Sequence, residues 1–370
     1  MQAILRRGAS LLSGSSSKDD KGGGFTTVTS PDELFPTVDP AVDGEDCDRD
    51  CATCTVHYPA KFDVDRTDAL YGRVDGWATH LLVATGKADW ARDVADEKGS
   101  LMEAIVKGGI VPRNGKLKLS ASNIPIPDEY HQHEPGAQQP TTVLLLPAFI
   151  FVDHVTPALA SDLIEHFVNP AITTTTPLHN PNTSSPSSLS AEGNEPEPKQ
   201  KKKLDIDTTP LRARPCPHAA VILLCSQRTR DARCGISAPL LKREFERHLR
   251  PLGLYRDLDD HRPGGVGIYF VSHVGGHKYA ANVIVYRRRD FNWYKKKSAG
   301  AASGTEGKDG DEGEEGEGAD EGAAQGIWIA RVRPEDCEGI VKFTVLQGKV
   351  VKPGYQLRGG FDRERGVVSW

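Results

Sequence analysis

Two cysteines and two histidines in the C-terminal half of the chain have the chemistry and the spacing of a metal site. The pattern is C-x8-C-x38-H-x-G-G-H, formed by Cys225, Cys234, His273 and His277. Thiolates and imidazoles bind zinc, and they also hold iron-sulfur clusters, in which two histidines can replace two cysteines at one iron. A Rieske site interleaves its cysteines with its histidines, so the separation of the two pairs argues against a Rieske domain. The four residues predict either one zinc ion or one two-iron cluster.

Hydrophobic runs predict the elements that hold these residues. An apolar run at 221–224 predicts a buried strand ending at Cys225, and further runs predict strands on both sides of the histidines. Gly275 and Gly276 would each weaken a helix by about 1 kcal/mol, so a tight loop is expected between the histidines. Cys234 precedes a predicted helix, whose N-terminus favours a thiolate. The predicted elements of this half are strands 220–225, 266–272, 281–286 and 327–332 and helices 238–250 and 335–347.

These motifs resemble those of a known family. The C-x8-C and H-x-G-G-H elements, with Arg230, Asp231 and Arg233 between the cysteines, are similar to those of the thioredoxin-like ferredoxins of the fungal sucrase/ferredoxin-like group. The resemblance covers about residues 216–350. It implies a [2Fe-2S] cluster in an electron carrier that acts in redox homeostasis. The implied ligands are Cys225 and Cys234 for one iron and His273 and His277 for the other.

Two other classes of function stay open. The same donors suit a structural zinc ion, although eight residues between the cysteines exceed the two to four that are usual in zinc fingers. A thiol-disulfide oxidoreductase could use Cys225 and Cys234. Such an enzyme needs C-x-x-C at the first strand-to-helix loop, which this half lacks. A colourless protein with bound zinc would indicate the first class, and disulfide exchange without a cluster would indicate the second.

A second cysteine group, Cys47-x3-Cys51-x2-Cys54, lies closer to the N-terminus, with His57 next to it. Its spacing is that of radical-SAM enzymes, but those enzymes place it in an α/β barrel, and this chain has no run of eight βα units. A zinc site completed by His57, a thiol redox group and local packing stay open. Three cysteines among mostly polar residues have little core to fill, which favours a redox or metal role.

The predicted fold class is α/β (α+β), with a thioredoxin-like ferredoxin domain at the C-terminal end. In this half the order βαβ followed by ββα is the thioredoxin order. The predicted strands and helices of the N-terminal half follow one another in a similar order, but they contain no set of metal ligands. It is interpreted as a divergent thioredoxin-like copy or as a docking or stabilising domain. Its predicted elements are strands 77–85, 116–121 and 142–152 and helices 100–108 and 157–168.

Composition divides the chain into segments. Residues 1–40 are expected to be disordered, residues 41–170 to form the divergent N-terminal domain with the early cysteines, and residues 211–370 to form the ferredoxin domain. The linker 171–210 is rich in Thr, Ser, Pro and Asn and cannot bury enough apolar surface to fold. Gly, Ala, Glu and Asp dominate residues 298–325, which are expected to form a surface insertion between two strands.

Charge and hydropathy limit the expected partners. A net charge of -5 gives no bulk attraction to nucleic acid, and no stretch approaches the roughly 20 apolar residues that span a bilayer. Arg287–Arg289 is predicted to be a solvated strand end, with a docking surface for an acidic redox partner as the alternative. The electron donor and acceptor are expected to be proteins, and the iron-sulfur assembly machinery is expected to insert the cluster.

The two termini indicate different compartments. The first residues contain Arg6 and Arg7, are rich in serine and have no acidic residue before Asp19, which is typical of a mitochondrial transit peptide. Val368-Ser369-Trp370 resembles the aromatic C-terminal tripeptide by which some cytosolic iron-sulfur proteins are recognised for cluster insertion. The mitochondrial matrix is the expected location, and the cytoplasm is the alternative.

Overall fold

The computed structural model describes residues 24–131, 138–178, 209–292 and 321–370, which form a mixed α/β fold around one large sheet. This confirms the predicted α/β (α+β) class. The strands are β1 Thr26–Thr27, β2 Thr79–Ala84, β3 Leu117–Ser122, β4 Thr141–Leu146, β5 Ile150–Val155, β6 Arg212–Pro215, β7 Ala220–Cys225, β8 Tyr255–Arg256, β9 Val266–Val271, β10 Val283–Arg287, β11 Gln325–Ile329, β12 Leu357–Asp362 and β13 Val367–Val368. In the described residues the 13 strands follow the order β1-β13-β12-β11-β10-β7-β9-β3-β2-β4-β5-β6, with β8 paired to β9.

Short helices flank the sheet, and one helix of 18 residues stands out. The α-helices are α1 Pro31–Leu34, α2 Pro40–Asp43, α3 Leu101–Lys107, α4 Ala160–Leu163, α5 Ala232–Leu249, α6 Cys337–Gly339 and α7 Pro353–Gln356. Helical turns extend α4 over 157–168 and α6 over 334–347, close to the predicted bounds of both segments. Among the described helices, none combines the length and the apolar character that crossing a membrane requires.

The two halves of the chain build the same strand arrangement. In the N-terminal half, β2 pairs parallel with β3 and antiparallel with β4, which pairs with β5. In the C-terminal half, β7 pairs parallel with β9 and antiparallel with β10, which pairs with β11. A helix follows the first strand of each half, and a helical segment follows the fourth. Each half therefore has the order βαβ followed by ββα.

The sheet is continuous because β3 pairs antiparallel with β9, with Ser122 opposite Val271. Beyond that pair, the Ser272 N–H donates to the Ala121 carbonyl at 2.9 Å. The Asn123 side chain accepts from the Phe270 N–H at 2.7 Å. The strand of the N-terminal half thus runs beside the segment that follows β9.

A hydrophobic cluster shared by both halves lies on one face of the sheet and contains Trp77, Trp328, Tyr286, Cys225 and Cys234. The Trp77 indole N–H donates to the Tyr286 hydroxyl at 3.1 Å, and the Trp370 ring stacks on Trp77 with centroids 4.6 Å apart. Separate cores pack the helices of each half against the sheet. The cysteine pair is therefore embedded in the core that joins the two halves.

Two element predictions are wrong for physical reasons. The predicted strand 142–152 is the hairpin of β4 and β5, because Pro147 has no N–H for a strand ladder and Phe149 turns the chain at φ 56°. The helix predicted at 238–250 begins at Ala232 instead, where the Asp231 carboxylate caps the Arg233 N–H. Pro239 lies inside this helix. An interior proline costs about 3 kcal/mol, and the buried face of the helix offsets it.

The prediction of disorder is corrected for residues 24–40 and 171–178. Leu34 and Phe35 are fully buried in the core of the C-terminal half, and the Thr174 hydroxyl donates to the Trp77 carbonyl at 2.6 Å. A few residues in each segment pack or form hydrogen bonds with the folded part, although the average composition of the segment predicts disorder. Residues 1–23, which include the predicted transit peptide, lie outside the described residues, as do most of the predicted linker and the predicted insertion up to residue 320. The domain boundaries stay predictions.

The arginine run is not a solvated strand end. Arg287 is buried and donates to the Val345 carbonyl and to the Gln325 side chain, at 3.0 and 2.8 Å. Arg288 is buried and donates to the His218 carbonyl at 3.0 Å. Arg289 pairs with Glu364 at 2.7 Å. The guanidinium groups of Arg287 and Arg288 tie strand ends to neighbouring segments, so they are not free to dock an acidic partner.

Two buried histidines are expected to make the fold sensitive to acid. Loss of solvation lowers the pKa of His218 to about 3 and holds the pKa of His80 well below its usual value. The unfolded chain binds these protons near pH 6.5, so the stability that the neutral rings contribute is complete above that pH and is lost as the pH falls towards the folded pKa values. Each ring contributes up to about 1.4 kcal/mol per pH unit in this window.

The measurement is urea unfolding of the protein, in the presence of a metal chelator, between pH 7.5 and pH 4.5. The His218→Gln variant should lose less stability than the wild type as the pH falls, by roughly 1 kcal/mol per pH unit. His57→Gln serves as the control, since the His57 side chain is 64% exposed. Parallel pH dependences of the wild type and His218→Gln would contradict this account.

Candidate metal centre

The topology of the C-terminal half brings the two ligand motifs to one edge of the sheet. Cys225 is the last residue of β7 and lies opposite Val271, the last residue of β9, in a parallel pair. Parallel strands end at the same edge, so the segment after β9 delivers His273 beside Cys225. Cys234 reaches the same place from the first turn of α5, not from the loop before it as predicted.

Three of the four predicted ligands converge. The sulfurs of Cys225 and Cys234 are 3.4 Å apart, and the Cys225 sulfur lies 3.8 Å from His273 Nδ1. The three ligand atoms all lie within 4.8 Å of one another. None of the cysteines in the described residues, these two included, forms a disulfide. The side chain of His277 lies outside what the structure describes, so its part in the centre stays a prediction.

The loop between the histidines is tight, as the two glycines predict. Gly275 and Gly276 have φ values of 93° and 67°, a region that favours glycine. A Cβ on Gly276 would lie 2.5 Å from an Arg358 guanidinium nitrogen. Gly276 is therefore needed both for the turn and for the close approach of Arg358.

Gln227 fixes the start of this loop and connects it to the N-terminal half. Its Oε1 accepts from the His273 N–H at 2.8 Å, and its Nε2 donates to the Ala91 carbonyl at 2.5 Å. The Gln227 amide therefore joins the His273 backbone to the N-terminal half through one hydrogen bond on each side. Sequence reasoning missed Gln227, because a glutamine near a cysteine carries no distinctive spacing.

Electrostatics favour a thiolate at this centre. The hydrogen bond between the two sulfurs lowers the pKa of Cys225 well below its usual value, and His273 lowers it further, because both stabilise the Cys225 thiolate. The same contact with Cys225, followed by burial, raises the pKa of Cys234. The thiolate is the form of cysteine that binds metals, so the arrangement prepares one sulfur for ligation.

Two cations that sequence reasoning missed lie beside the histidine loop. The Lys118 ammonium is 3.5 Å from the Val274 carbonyl and 4.6 Å from the Trp328 ring centroid. The buried Arg358 guanidinium donates to the Gly275 carbonyl at 3.0 Å and to the Asn282 side chain at 2.7 Å. Lys118 sits in an alternating Lys-Leu-Lys-Leu stretch, which predicts exposed lysines. The Lys118 side chain is nevertheless half-buried beside the Trp77 and Trp328 rings, so that periodicity misleads.

The centre is buried on its sulfur side and open on its histidine side. Cys225 and Cys234 have 1% and 0% of their surface exposed, whereas His273 is partly exposed. The sulfurs are thereby shielded from external thiols. The His273 imidazole is therefore the part of the centre that lies nearest to the surface.

The early cysteine group does not assemble as one ligand set in the described residues. Cys51 instead approaches α5, with its sulfur 4.0 Å from His248 Nε2, and Glu338 completes a group whose ligand atoms lie within 4.8 Å. The Arg247 guanidinium lies between them, 3.5 Å from the Cys51 sulfur and 3.1 Å from His248 Nε2. A positively charged side chain of the protein thus lies close to two of the three ligand atoms. The remaining members are Cys47, which is buried, Cys54, whose sulfur donates to the Val56 carbonyl, and His57, which pairs with Glu335.

Comparison with known proteins gives one family. The sequence profile of the sucrase/ferredoxin-like family matches residues 70–359, which is more than half of the chain. This match begins downstream of the early cysteine group and includes all four predicted ligands. No solved structure matches the chain.

Three known fungal proteins are similar to parts of the chain. Actin patches distal protein 1 of Saccharomyces cerevisiae is 58% identical over 69 residues, which are 19% of this chain and 22% of that protein. Two proteins named altered inheritance of mitochondria protein 32 align over longer stretches. The Clavispora lusitaniae protein is 30% identical over 38% of this chain and 35% of its own length. The Debaryomyces hansenii protein is 32% identical over 37% of this chain and 34% of its own length. The chain thus covers about a third or less of each relative.

Proposed function

The chain belongs to the sucrase/ferredoxin-like family, and we propose that it is an electron carrier with a [2Fe-2S] cluster held by two cysteines and two histidines. The observation that carries this proposal is the convergence of the Cys225 and Cys234 sulfurs, 3.4 Å apart, with the His273 ring nitrogen at 3.8 Å from the first. Two thiols and one imidazole meet beside a core that both halves share, and the pKa of the Cys225 thiol is lowered. This donor set fits the cluster that the family resemblance implies.

Each residue of the centre has a distinct proposed role. Cys225 and Cys234 ligate one iron as thiolates, and His273, with His277 as the family pattern implies, ligates the other. When bound, the cluster supplies reversible one-electron chemistry. Neutral imidazoles place less negative charge around their iron than thiolates do, so the histidine ligands raise the reduction potential. Because His273 is the partly exposed ligand, redox partners are expected to dock on that side.

The strand order supports a thioredoxin-like origin for both halves. In each half the first strand lies between a parallel second strand and an antiparallel third strand. We propose that the C-terminal half is the thioredoxin-like ferredoxin domain and that the N-terminal half is a divergent copy. The copy has no cysteine at the end of β2, where the C-terminal half has Cys225. Its proposed role is to support the centre from the neighbouring strand.

The cellular setting is proposed from the names of the relatives and from the N-terminal sequence. Several similar proteins are named for altered inheritance of mitochondria, and the first residues have the composition of a transit peptide. A mitochondrial location, in the matrix, is therefore the favoured proposal, with the cytoplasm as the alternative. The proposed partners are a protein donor, a protein acceptor and the assembly machinery that inserts the cluster. The role of Cys47, Cys51 and Cys54 stays a prediction.

One runner-up has a specific observation in its favour. Two cysteine sulfurs 3.4 Å apart, one of them with a lowered pKa, would also suit a dithiol that forms a disulfide. Burial of both sulfurs argues against it, because an attacking thiolate must reach a sulfur in line. The zinc alternative uses the same donors and differs only in the metal bound.

Visible and paramagnetic resonance spectra of the anaerobically purified chain, with iron, sulfide and zinc analysis, test the proposal. We expect visible absorption, equal amounts of iron and sulfide, and a paramagnetic signal that appears on reduction. A colourless protein that contains zinc would replace the carrier by the structural zinc protein. A reconstituted protein that shows no visible absorption, no bound iron with sulfide and no paramagnetic signal, but that still exchanges disulfides, would favour the thiol-disulfide oxidoreductase.

A further inference from the structure

The N-terminal half contributes a positive charge to the centre through Lys118. The pairing of β3 with the segment after β9, in which the Ser272 N–H donates to the Ala121 carbonyl, carries β3 along the histidine loop. Lys118 lies three residues before Ala121 on this strand, and its ammonium comes within 3.5 Å of the Val274 carbonyl. This carbonyl belongs to the residue that follows His273.

The Lys118 side chain is half-buried, and aromatic rings lie beside its ammonium group. The ammonium lies 5.1 Å from the Trp77 ring centroid and 4.6 Å from that of Trp328, so aromatic faces replace part of its water. Loss of solvation, with the nearby charge of Arg358, lowers the pKa of Lys118 to about 8, which keeps the side chain charged at neutral pH. The hydrogen-bond partner that the described residues give it is a neutral carbonyl oxygen.

Lys118 and Arg358 both contact the loop that carries His273. The Lys118 ammonium lies 3.5 Å from the Val274 carbonyl, and the Arg358 guanidinium donates to the Gly275 carbonyl at 3.0 Å. Arg358 is fixed by the Gly275 and Arg73 carbonyls and by Asn282, so it also serves the packing of the loop. Lys118 makes fewer bonds, and a partly buried cation with few bonds contributes little to stability. Its electrostatic effect on the centre is the stronger reason for a lysine at this position.

We propose that Lys118 raises the reduction potential of the cluster held by Cys225, Cys234 and His273, so that the N-terminal half sets the potential of the C-terminal half. This inference rests on the proposed function. Reduction adds one negative charge to the centre, and a fixed cation nearby stabilises the reduced state. For unit charges about 10 Å apart at an effective dielectric of about 20, the effect is roughly tenfold in the ratio of reduced to oxidised protein.

The test compares the midpoint potential of the wild type with those of Lys118→Met and Lys118→Gln by anaerobic spectroelectrochemical titration. Poised at the wild-type midpoint, each variant should contain roughly tenfold less reduced protein, which corresponds to about 59 mV for one electron. Lys116→Met is the matched control, because Lys116 precedes the same strand and its side chain is 62% exposed. Lys118→Arg keeps the charge and should restore most of the potential.

Iron content and urea unfolding of the same proteins separate an electrostatic role from a structural one. We expect unchanged iron and an unfolding midpoint that is equal or higher in Lys118→Met, since a desolvated charge is removed. An unchanged potential with a lowered unfolding midpoint, or loss of iron from both neutral variants, would overturn the inference and leave the electron-carrier proposal intact. A wild-type protein that forms no cluster would overturn the proposed function, and the inference with it.

Discussion

Replacement of Cys225 or Cys234 by alanine is expected to abolish the visible absorption of the protein and to reduce its iron and sulfide nearly to zero. Each sulfur is one of two thiolates proposed for the same iron, and the contact between them, at 3.4 Å, leaves no other thiol of the described residues to take its place. A three-ligand site would leave one iron without a protein ligand in the place of the removed sulfur. The measurement is iron and sulfide content with the visible spectrum after anaerobic reconstitution.

The folded state should survive these substitutions, which makes the loss interpretable. Cys216→Ala and Cys337→Ala are matched controls, because both cysteines are fully buried in the structure and neither belongs to the ligand group. All four variants lose a similar small side chain, at a cost of about 1 kcal/mol each. Iron retained in Cys225→Ala, or lost equally from Cys216→Ala, would remove the cysteine pair from the proposed centre.

The local elements of the C-terminal half were predictable because their apolar runs are short and continuous. The strand predicted at 220–225 is β7 with the same bounds. The tight glycine loop is also present. Both signals are local: a run of apolar residues forms a buried strand, and two glycines exclude a helix. The edge of the sheet at which the motifs meet then follows from the strand order.

The first residue of α5 is less clearly predicted by the sequence than the bounds of β7 are. Ser237 before Pro239 has the pattern of a helix start, and Asp231 with Arg233 has it as well. The structure selects the earlier cap because Cys234, Ala238 and Leu241 then lie on the buried face. The sequence signals at Asp231 and at Ser237 are of similar strength, and the packing of the buried helix face determines where the helix begins.

The charged residues of the centre were hidden because their partners are distant in sequence. Lys118 approaches a carbonyl 156 positions away, and Arg358 one 83 positions away. Gln227 contacts Ala91, which is 136 positions away. No spacing rule connects such residues. Lysines that alternate with leucines along a strand predict that the lysine face is exposed. The contribution of the N-terminal half to the centre can therefore be recognised only once the order of the strands in the sheet is known.

Replacement of His273 by cysteine is expected to keep a cluster but to lower its reduction potential by on the order of a hundred millivolts or more. A thiolate carries a full negative charge where the imidazole is neutral, so the added electron meets more repulsion. Clusters with two histidines on one iron have potentials of roughly -150 to +300 mV, against about -400 mV for plant-type ferredoxins with four cysteines. Cysteine is shorter than histidine, so the substitution requires a small shift of the loop to bring the sulfur to the iron, and there is open space beside Gly275.

Spectroelectrochemical titration of wild type, His273→Cys and His273→Ala checks this expectation. His273→Ala should lose iron, since it removes a ligand without replacing it, and His57→Cys should match the wild type, because His57 is an exposed residue paired with Glu335. The size of the shift distinguishes ligation from proximity. A cysteine near the cluster but not bound to it would change the potential little, and a potential equal to that of the wild type would therefore place His273 outside the ligand set. A lowered potential with full iron content would establish that this imidazole is bound to the iron that accepts the electron.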